Sequence, residues 1–218
     1  MRRTTILTLY RAAFALLTFV AIGFQIYRLA DVGDFKPGNF FSFFTIESNI
    51  FAATLLLYLA WRGSTDPVHQ GRLDLIRGAA TLYMLTTGIV YDQLLSGYTA
   101  ELQTAVIWVD NVVHRMMPVV IVIDWLADPP KTSLTVRRAL VWLAFPLVYL
   151  AYSLIRGPLV DWYPYPFLNP DEVGGYLGVV GISLAIAVGV IILTWVITRL
   201  GEWRRREDAR AAAAATSA

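Results

Sequence analysis

Cysteine is absent from this 218-residue chain, which also has only two histidines and only 16% charged residues. The lack of cysteine excludes disulfides, thiolate catalysis and zinc sites built on cysteine. Two histidines are too few for the multi-histidine metal clusters of membrane desaturases, and we predict no metal and no other cofactor. Soluble domains carry about a quarter charged residues. With 57% hydrophobic residues, the chain cannot cover a soluble surface, and we predict an integral membrane protein.

The sequence lacks the motifs of several functional classes. The sequence contains no Gly-x-Ser-x-Gly, no His-Glu-x-x-His and no glycine-rich phosphate loop before a helix. Both lysines lie outside the apolar runs, which excludes retinal Schiff-base chemistry. The basic C-terminal segment is too short and mixed to indicate a nucleic-acid partner.

Six apolar runs are long enough to cross a bilayer, which takes about 20 mainly apolar residues. They cover residues 10–30, 40–61, 73–95, 105–127, 138–156 and 174–200. The first is predicted to be a retained helix, because no small-x-small cleavage site follows it directly. The fold class is therefore an all-α, six-helix transmembrane bundle forming one domain over residues 1–200. The basic, then alanine-rich, tail over residues 201–218 is predicted to be disordered.

Lysine and arginine set the predicted orientation. With the N-terminus in the cytoplasm, fourteen of the eighteen basic residues fall on the cytoplasmic side, Arg11 and Arg77 among them, and three fall opposite. We therefore predict that both termini are cytoplasmic.

Polar residues within the runs concentrate in their outer half, whereas the inner half holds Asp124 and little else beyond hydroxyls. An ionisable group inside a bilayer costs about 2.5–3.5 kcal/mol on insertion scales, so it needs a partner or water. The asymmetry predicts a polar pocket open to the outer leaflet. The aromatic residues of the loop over residues 157–173 are interpreted as an interfacial belt. The outer polar set comprises Gln25, Arg28, Thr45, Glu47, Ser48, Asn49, Thr87, Tyr91, Asp92, Asp110, Asn111, His114, Arg115, Tyr149, Tyr152 and Arg156.

Helical spacing in the fourth run places a possible acid–histidine pair on one face. Asp110 lies four residues, and Asn111 three residues, before His114, so either side chain could fix the imidazole tautomer. Pro118 cannot donate to the carbonyl of His114, and we expect the helix to be disturbed there. Thr45 of the second run lies at a similar depth, within reach of His114 if the two helices face each other. The ordinary alternatives are a Thr45 hydroxyl bonded to its own helix and a His114 packed between helices.

Three short motifs occur in an order and placement that match those of a known family. They are Phe43-Phe44-Thr45-Ile46-Glu47-Ser48-Asn49, His114-x-x-x-Pro118 followed by Asp124-Trp125, and Tyr163-Pro-Tyr-Pro-Phe167. Together they resemble the bacterial branch of the androgen-induced protein and androgen-dependent TFPI-regulating protein family, over about Leu9 to Arg199.

The resemblance implies a six-helix membrane hydrolase of fatty acid esters of hydroxy fatty acids, with Thr45 as nucleophile and His114 as the histidine. It also implies a location in the bacterial cytoplasmic (inner) membrane. Animal members have an Asn-His pair just before the catalytic histidine, whereas this chain has Asp110-Asn111. The orienting group and the substrate therefore stay open.

The leading hypothesis is a threonine-type lipid ester hydrolase whose partner is a membrane lipid or fatty acyl ester. Thr45 attacks the ester, His114 acts as base and then as acid, and Asp110 or Asn111 orients the ring. Supporting or substrate-binding roles fall to Glu47, Ser48, Asn49, Tyr91, Asp92, Arg115, Arg28 and Arg156, with an arginine holding a substrate carboxylate. The second hypothesis is a small-solute or proton-coupled transporter using the same polar cluster, and the third is a non-catalytic scaffold or lipid-binding protein.

Overall fold

Helices account for all the regular secondary structure in residues 2–62, 67–98 and 106–216, which are the residues described by this computed structural model. The longer helices are α1 (Arg2–Asp31), α3 (Phe44–Trp61), α4 (Pro67–Val90), α6 (Met117–Ala127), α8 (Ala144–Val160) and α9 (Tyr176–Thr216). The short ones are α2 (Pro37–Phe40), α5 (Ile107–Asn111) and α7 (Val136–Ala139). π turns continue α4 over Tyr91–Leu95 and join α5 to α6 over Val112–Met116. A 3₁₀ turn over Leu140–Leu143 joins α7 to α8.

Five helices are long and apolar enough to cross a membrane, which supports a helical membrane bundle. They cover Thr4–Asp31, Phe44–Trp61, His69–Leu95, Val136–Val160 and Tyr176–Ala215. The further run expected over residues 105–127 is helical from Ile107, but the π turn divides it into shorter α-helices. Residue 105 lies outside the described residues. The structure therefore gives five candidate spans where the sequence predicts six.

α4 occupies the centre of the bundle. It packs against α3, α6 and α9, while α1 packs mainly on α3. Gly78 of α4 permits close contact with the 3₁₀ turn over Leu140–Leu143, because an added Cβ there would overlap the buried indole of Trp142. The outer helices instead expose large apolar side chains, including Leu16 of α1, Leu147 of α8 and Leu184 of α9. On a soluble protein such an apolar surface would promote aggregation, whereas in a bilayer it contacts lipid tails.

The last helix continues to Thr216, where the sequence predicts a disordered tail. Ion pairs one turn apart support this extension, including Arg205 with Glu202 at 2.5 Å and Arg210 with Glu207 at 2.7 Å. Alanine and arginine also have high helix propensity. The basic, alanine-rich composition from which we predicted a disordered tail is therefore equally that of an exposed helix.

Candidate functional site

Two π turns face each other where α4 meets the helix that carries His114. One begins at Tyr91, and the other covers Val112–Met116 and ends two residues before Pro118. The expected disturbance next to the proline therefore takes the form of a π turn. Gly88 lets the two helices approach closely, since an added Cβ would lie 3.1 Å from the Pro118 ring and 3.2 Å from the His114 carbonyl oxygen. π turns inside helices occur frequently at functional sites.

His114 and Asp110 form a buried pair. His114 Nδ1 lies 2.9 Å from Asp110 Oδ1, and both side chains are less than a tenth exposed. The phenol of Tyr91 donates to Asp110 Oδ2 at 2.8 Å, and its ring stacks on the imidazole with 3.9 Å between centroids. In the neutral tautomer that this contact favours, Nδ1 donates to the carboxylate and Nε2 is the acceptor. Of the two candidate orienting residues Asp110 makes this contact, while Asn111 accepts from Arg115 at 2.8 Å.

Thr45 lies in the first turn of α3, where backbone N–H groups have no partner in their own helix. Its N–H donates instead to the hydroxyl of Tyr165 at 3.2 Å, and that hydroxyl is also 3.4 Å from Thr45 Oγ1. Tyr165 is buried, and its ring stacks on Phe167 at 5.2 Å. Burial away from water raises the pKa of the Tyr165 phenol, so it stays protonated.

Tyr165 is a site residue that the sequence interpretation missed. We expected the loop over residues 157–173 to be an interfacial belt, but it folds inward and contacts the start of α3. The Tyr163-Pro-Tyr-Pro-Phe167 motif carried the available signal, because prolines on both sides of Tyr165 restrict its backbone.

Asn49 connects the backbone of Thr45 to the histidine helix. Its side-chain amide donates to the Thr45 carbonyl at 2.9 Å and to the Val113 carbonyl at 3.0 Å. The two carbonyl oxygens therefore lie no further apart than these two distances combined. Within the described residues, no hydrogen bond joins Thr45 Oγ1 to His114. The structure thus brings the two segments together without bringing the hydroxyl onto the imidazole.

A cavity of about 290 Å³ lies beside Thr45, between α3, α4, α8 and α9. Its described lining has no charged residue, and the Thr87 and Ser183 hydroxyls in its wall have no hydrogen-bond partner there. Leu147 and Ile191 of the lining are more than half exposed, so the cavity reaches the apolar outer surface. The full described lining is Phe44, Thr45, Thr86, Thr87, Val90, Leu95, Leu143, Pro146, Leu147, Tyr149, Leu150, Tyr165, Phe167, Leu168, Ser183, Ile186, Ala187, Val190 and Ile191.

Ser48 and Asn49, for which we expected supporting or substrate-binding roles, lie outside the lining of the cavity. Both are fully buried, and Ser48 Oγ and Asn49 Oδ1 have no hydrogen-bond partner among the described residues. Glu47 is only half-buried and also lies outside the lining.

The predicted arginines lie at three separate places. Arg115 contacts Asp110 at 3.1 Å and Asp92 at 3.7 Å, and about half of its side chain is exposed. The π turn brings it to Asp110, because residues five apart lie close in that geometry. Arg28, in contrast, is exposed at the end of α1, 3.7 Å from Asp31.

Arg156 of α8 lies near the loop that covers the cavity. Its guanidinium donates to Asn39 Oδ1 at 2.8 Å and lies 5.3 Å from the Trp162 ring centroid. The structure does not bring Arg28 and Arg156 into one cluster with His114.

The opposite half of the bundle is more polar than the sequence interpretation allowed. Arg11 and Arg77, which we placed on the cytoplasmic side, are buried side chains of α1 and α4. Arg11 Nε lies 2.5 Å from Asp124 Oδ1, and Arg77 Nη2 lies 3.0 Å from Asp124 Oδ2. Burial opposes ionisation of the adjacent Asp128, but the three cations around it outweigh burial and lower its pKa to about 2. Asp124 is therefore the centre of a buried ion network.

The chain matches no protein-family model, no curated protein and no solved structure at a significant level.

Proposed function

We propose that this chain is an integral membrane hydrolase that cleaves lipid esters, in the bacterial inner membrane, and that it is related to the androgen-induced protein family. Five long apolar helices support the membrane location. In this proposal the run over residues 107–127 is the sixth span, and both termini are cytoplasmic. The concentration of basic residues on one side of the spans supports that orientation.

The observation that carries the proposal is the position of Thr45. Thr45 lines an apolar cavity that reaches the apolar outer surface, and its hydroxyl lies beside that of Tyr165, another lining residue. From Ser183 to Ile191, the cavity follows about 12 Å of α9, at a rise of 1.5 Å per residue. An extended acyl chain fits such a space, whereas a charged solute would lie against a lining without counter-charges.

The chemistry follows the hydroxyl–imidazole–carboxylate pattern. Thr45 Oγ1 attacks the ester carbonyl carbon, and its proton passes to Nε2 of His114, while Asp110 holds the ring through Nδ1. When the tetrahedral intermediate collapses, the alcohol leaves with that proton and the acyl group stays on Thr45. Water then attacks the acyl ester, with His114 again as base, and releases the fatty acid. The proposal requires Thr45 Oγ1 and His114 Nε2 to approach when substrate binds, since catalytic hydrogen bonds often tighten only in the complex.

Tyr165 supplies a donor beside the attacking oxygen. Its hydroxyl lies next to both Thr45 Oγ1 and Thr45 N–H. The Tyr165 hydroxyl and the Thr45 N–H can both donate to the carbonyl oxygen of the ester, which becomes negative when Thr45 attacks. Donors placed in advance around such an oxygen stabilise the transition state.

A long-chain fluorophosphonate probe tests the nucleophile. We expect a single adduct on the purified wild-type protein by intact mass, and no adduct on Thr45→Ala or His114→Ala. Thr86→Ala is the matched control: Thr86 lines the same cavity, but its hydroxyl donates to the Leu82 carbonyl at 2.8 Å. An adduct on folded Thr45→Ala protein, or loss of labelling in Thr86→Ala, would contradict the proposal.

Tyr165→Phe separates the donor from the nucleophile. Phenylalanine keeps the stacking on Phe167 and removes only the hydroxyl. Loss of one donor to a developing oxyanion costs about 10²–10³ in rate. We expect slower probe labelling and ester turnover by about that factor. The variant also leaves the buried Thr45 N–H without its acceptor, which costs about 1–3 kcal/mol of stability, so the rates are compared at a temperature where both proteins are folded. An unchanged rate would remove Tyr165 from the mechanism and leave the Thr45 assignment intact.

A proton-coupled transporter is the second candidate, because buried charge occurs in both halves of the bundle. His114 and Asp124 lie on one helical run, about 15 Å apart along its axis. In the inner half, where the sequence interpretation found Asp124 and little else, the ion network adds the buried side chains of Arg11 and Arg77. Proton flux in proteoliposomes, compared between wild type and His114→Ala, distinguishes this candidate from the hydrolase.

A further inference from the structure

The cavity of about 290 Å³ opens sideways, between α8 and α9. Leu147 of α8 and Ile191 of α9 are the residues of its described lining that are more than half exposed. α9 packs mainly on α4, α6, α7 and the 3₁₀ turns rather than on α8. At the end next to the loop over residues 157–173, in contrast, Tyr165 and Leu168 of the lining are buried. The gap between α8 and α9 is therefore the open side of the described cavity.

The opening lies deep in the bilayer. Val160 ends α8 and Tyr176 begins α9, so both residues mark the same end of the bundle. Leu147 and Ile191 each lie about 20 Å of helix axis from that end, at 1.5 Å per residue. Since the hydrocarbon core of a bilayer is about 30 Å thick, the opening faces acyl chains and neither headgroups nor water.

The hydroxyl groups of the cavity lie nearer to that end. Ser183 is about 10 Å of helix axis from Tyr176, and Thr45 contacts Tyr165 of the loop. The Thr87 side chain is only 4% exposed, and its hydroxyl has no hydrogen-bond partner among the described residues. A ligand that brings an acceptor would satisfy this hydroxyl. The cavity is therefore polar near the membrane surface and apolar at its opening, which is the order of an ester group and its acyl chain.

Ala187 lies between the polar part and the opening. Ser183, Ala187 and Ile191 follow one another at intervals of about one turn on the same side of α9, and all three line the cavity. About 12 Å of helix axis separates Ser183 from Ile191. The acyl chains of one leaflet span about 15 Å, which is half of the hydrocarbon core. A membrane acyl chain is therefore longer than the cavity, and its end must leave through the opening.

We propose that the ester substrate enters sideways from the bilayer, through the gap between α8 and α9, and that the end of its acyl chain stays in the bilayer during the reaction. Ala187 is the specificity-determining residue, because it has the smallest side chain in the described lining and lies on the path of the chain. This inference rests on the hydrolase proposed above. It implies that long acyl chains are accepted, since the end of the chain is not enclosed.

Fluorophosphonates with an ethyl or a hexadecyl group on phosphorus test the path. We expect wild type to react with both probes. Ala187→Phe should slow labelling by the hexadecyl probe by about tenfold or more, the usual effect of a changed fit in a hydrophobic pocket. The ethyl probe should label this variant as fast as wild type, which also shows that the variant is folded. Ala185→Phe is the matched control, because Ala185 is exposed on α9 and lies outside the lining.

Leu147→Trp is a second variant, which narrows the opening from its exposed edge and leaves the core undisturbed. It should also slow only the hexadecyl probe. Equal labelling of wild type and both path variants by the hexadecyl probe, or an equal loss in Ala187→Phe and Ala185→Phe, would overturn the proposal.

Photocrosslinking tests the path without the reaction. The probe is a palmitoyl amide that carries a diazirine beside its amide group. In membranes we expect it to crosslink to the buried Thr87 in wild type and in Ala185→Phe, and to lose this crosslink in Ala187→Phe. If neither phosphonate labels wild type but this crosslinking pattern is found, the proposed hydrolysis is wrong and the path is correct. Absence of the Thr87 crosslink in wild type, or its persistence in Ala187→Phe, would show that acyl chains do not enter between α8 and α9.

Discussion

Replacement of Asp124 by alanine is expected to lower the free energy of unfolding by about 3–5 kcal/mol, the usual cost of removing one partner from a buried ion pair. Asp124 contacts two guanidinium groups, at 2.5 Å from Arg11 and 3.0 Å from Arg77. The side chains of Arg11 and Arg77 are only 8% and 3% exposed. Without the carboxylate, two buried cations share Asp128, which lies at the edge of the network.

Two further variants separate charge burial from packing. Asp128 is 26% exposed, so water compensates part of its loss, and Asp128→Ala should cost only about 1–3 kcal/mol. The triple variant Arg11→Met/Arg77→Met/Asp124→Leu removes the whole ionic centre. Apolar replacement of a buried network is often neutral or stabilising. We therefore expect the triple variant to be more stable than Asp124→Ala alone.

Reversible unfolding in mixed detergent and dodecyl sulfate micelles, followed by tryptophan fluorescence and circular dichroism, measures these differences. We expect Asp124→Ala to be the least stable of the three variants. A loss below about 1 kcal/mol in Asp124→Ala, or one no larger than in Asp128→Ala, would refute the idea that Asp124 compensates the two buried arginines.

Two further predictions concern packing and pH. Gly78→Ala should cost about 1–3 kcal/mol, because the added Cβ overlaps the Trp142 ring, while Gly189→Ala in α9 meets nothing and should be neutral or slightly stabilising. Melting temperatures of the two variants check this, and equal values would contradict the close packing of α4. The pKa of Asp128 is about 2, below its ordinary value of 3.8. Its contribution, about 2 kcal/mol, is therefore present above about pH 4 and is lost as the pH falls towards 2. Asp128→Asn should flatten the pH dependence of stability in that range, and an unchanged slope would contradict the assignment.

The helical character of the bundle could be predicted because long apolar runs leave few alternatives in a bilayer. The division of the run over residues 107–127 could be predicted only in part. Pro118 indicates a local disturbance, but its form depends on how closely α4 approaches, and Gly88 sets that distance. The spacing within one helix predicted that Asp110 or Asn111 would contact His114. In the structure Asp110 makes that contact.

Contacts between distant segments could not be predicted from spacing. Arg11 and Arg77 were counted on the cytoplasmic side because they lie near the ends of their apolar runs, where basic residues normally face water. Their partner Asp124 lies 113 and 47 residues away in sequence, and only tertiary packing brings it to them. Tyr165 likewise reaches Thr45 across 120 residues. In both cases the local sequence fixes the residue types, while the partners depend on how the helices assemble.

The two polar clusters differ in how their oxygens are satisfied, and this difference favours the outer one as the functional site. Asp124 has a guanidinium on each carboxylate oxygen, as a structural centre requires. Around Thr45, in contrast, the oxygens Ser48 Oγ, Asn49 Oδ1, Thr87 Oγ1 and Ser183 Oγ have no hydrogen-bond partner among the described residues. A buried polar group without a partner costs about 1–3 kcal/mol. Two of these hydroxyls lie in the cavity wall. The Thr87 and Ser183 hydroxyls can donate to the oxygens of an ester, so a ligand of the proposed class brings the acceptors that this apolar cavity otherwise lacks.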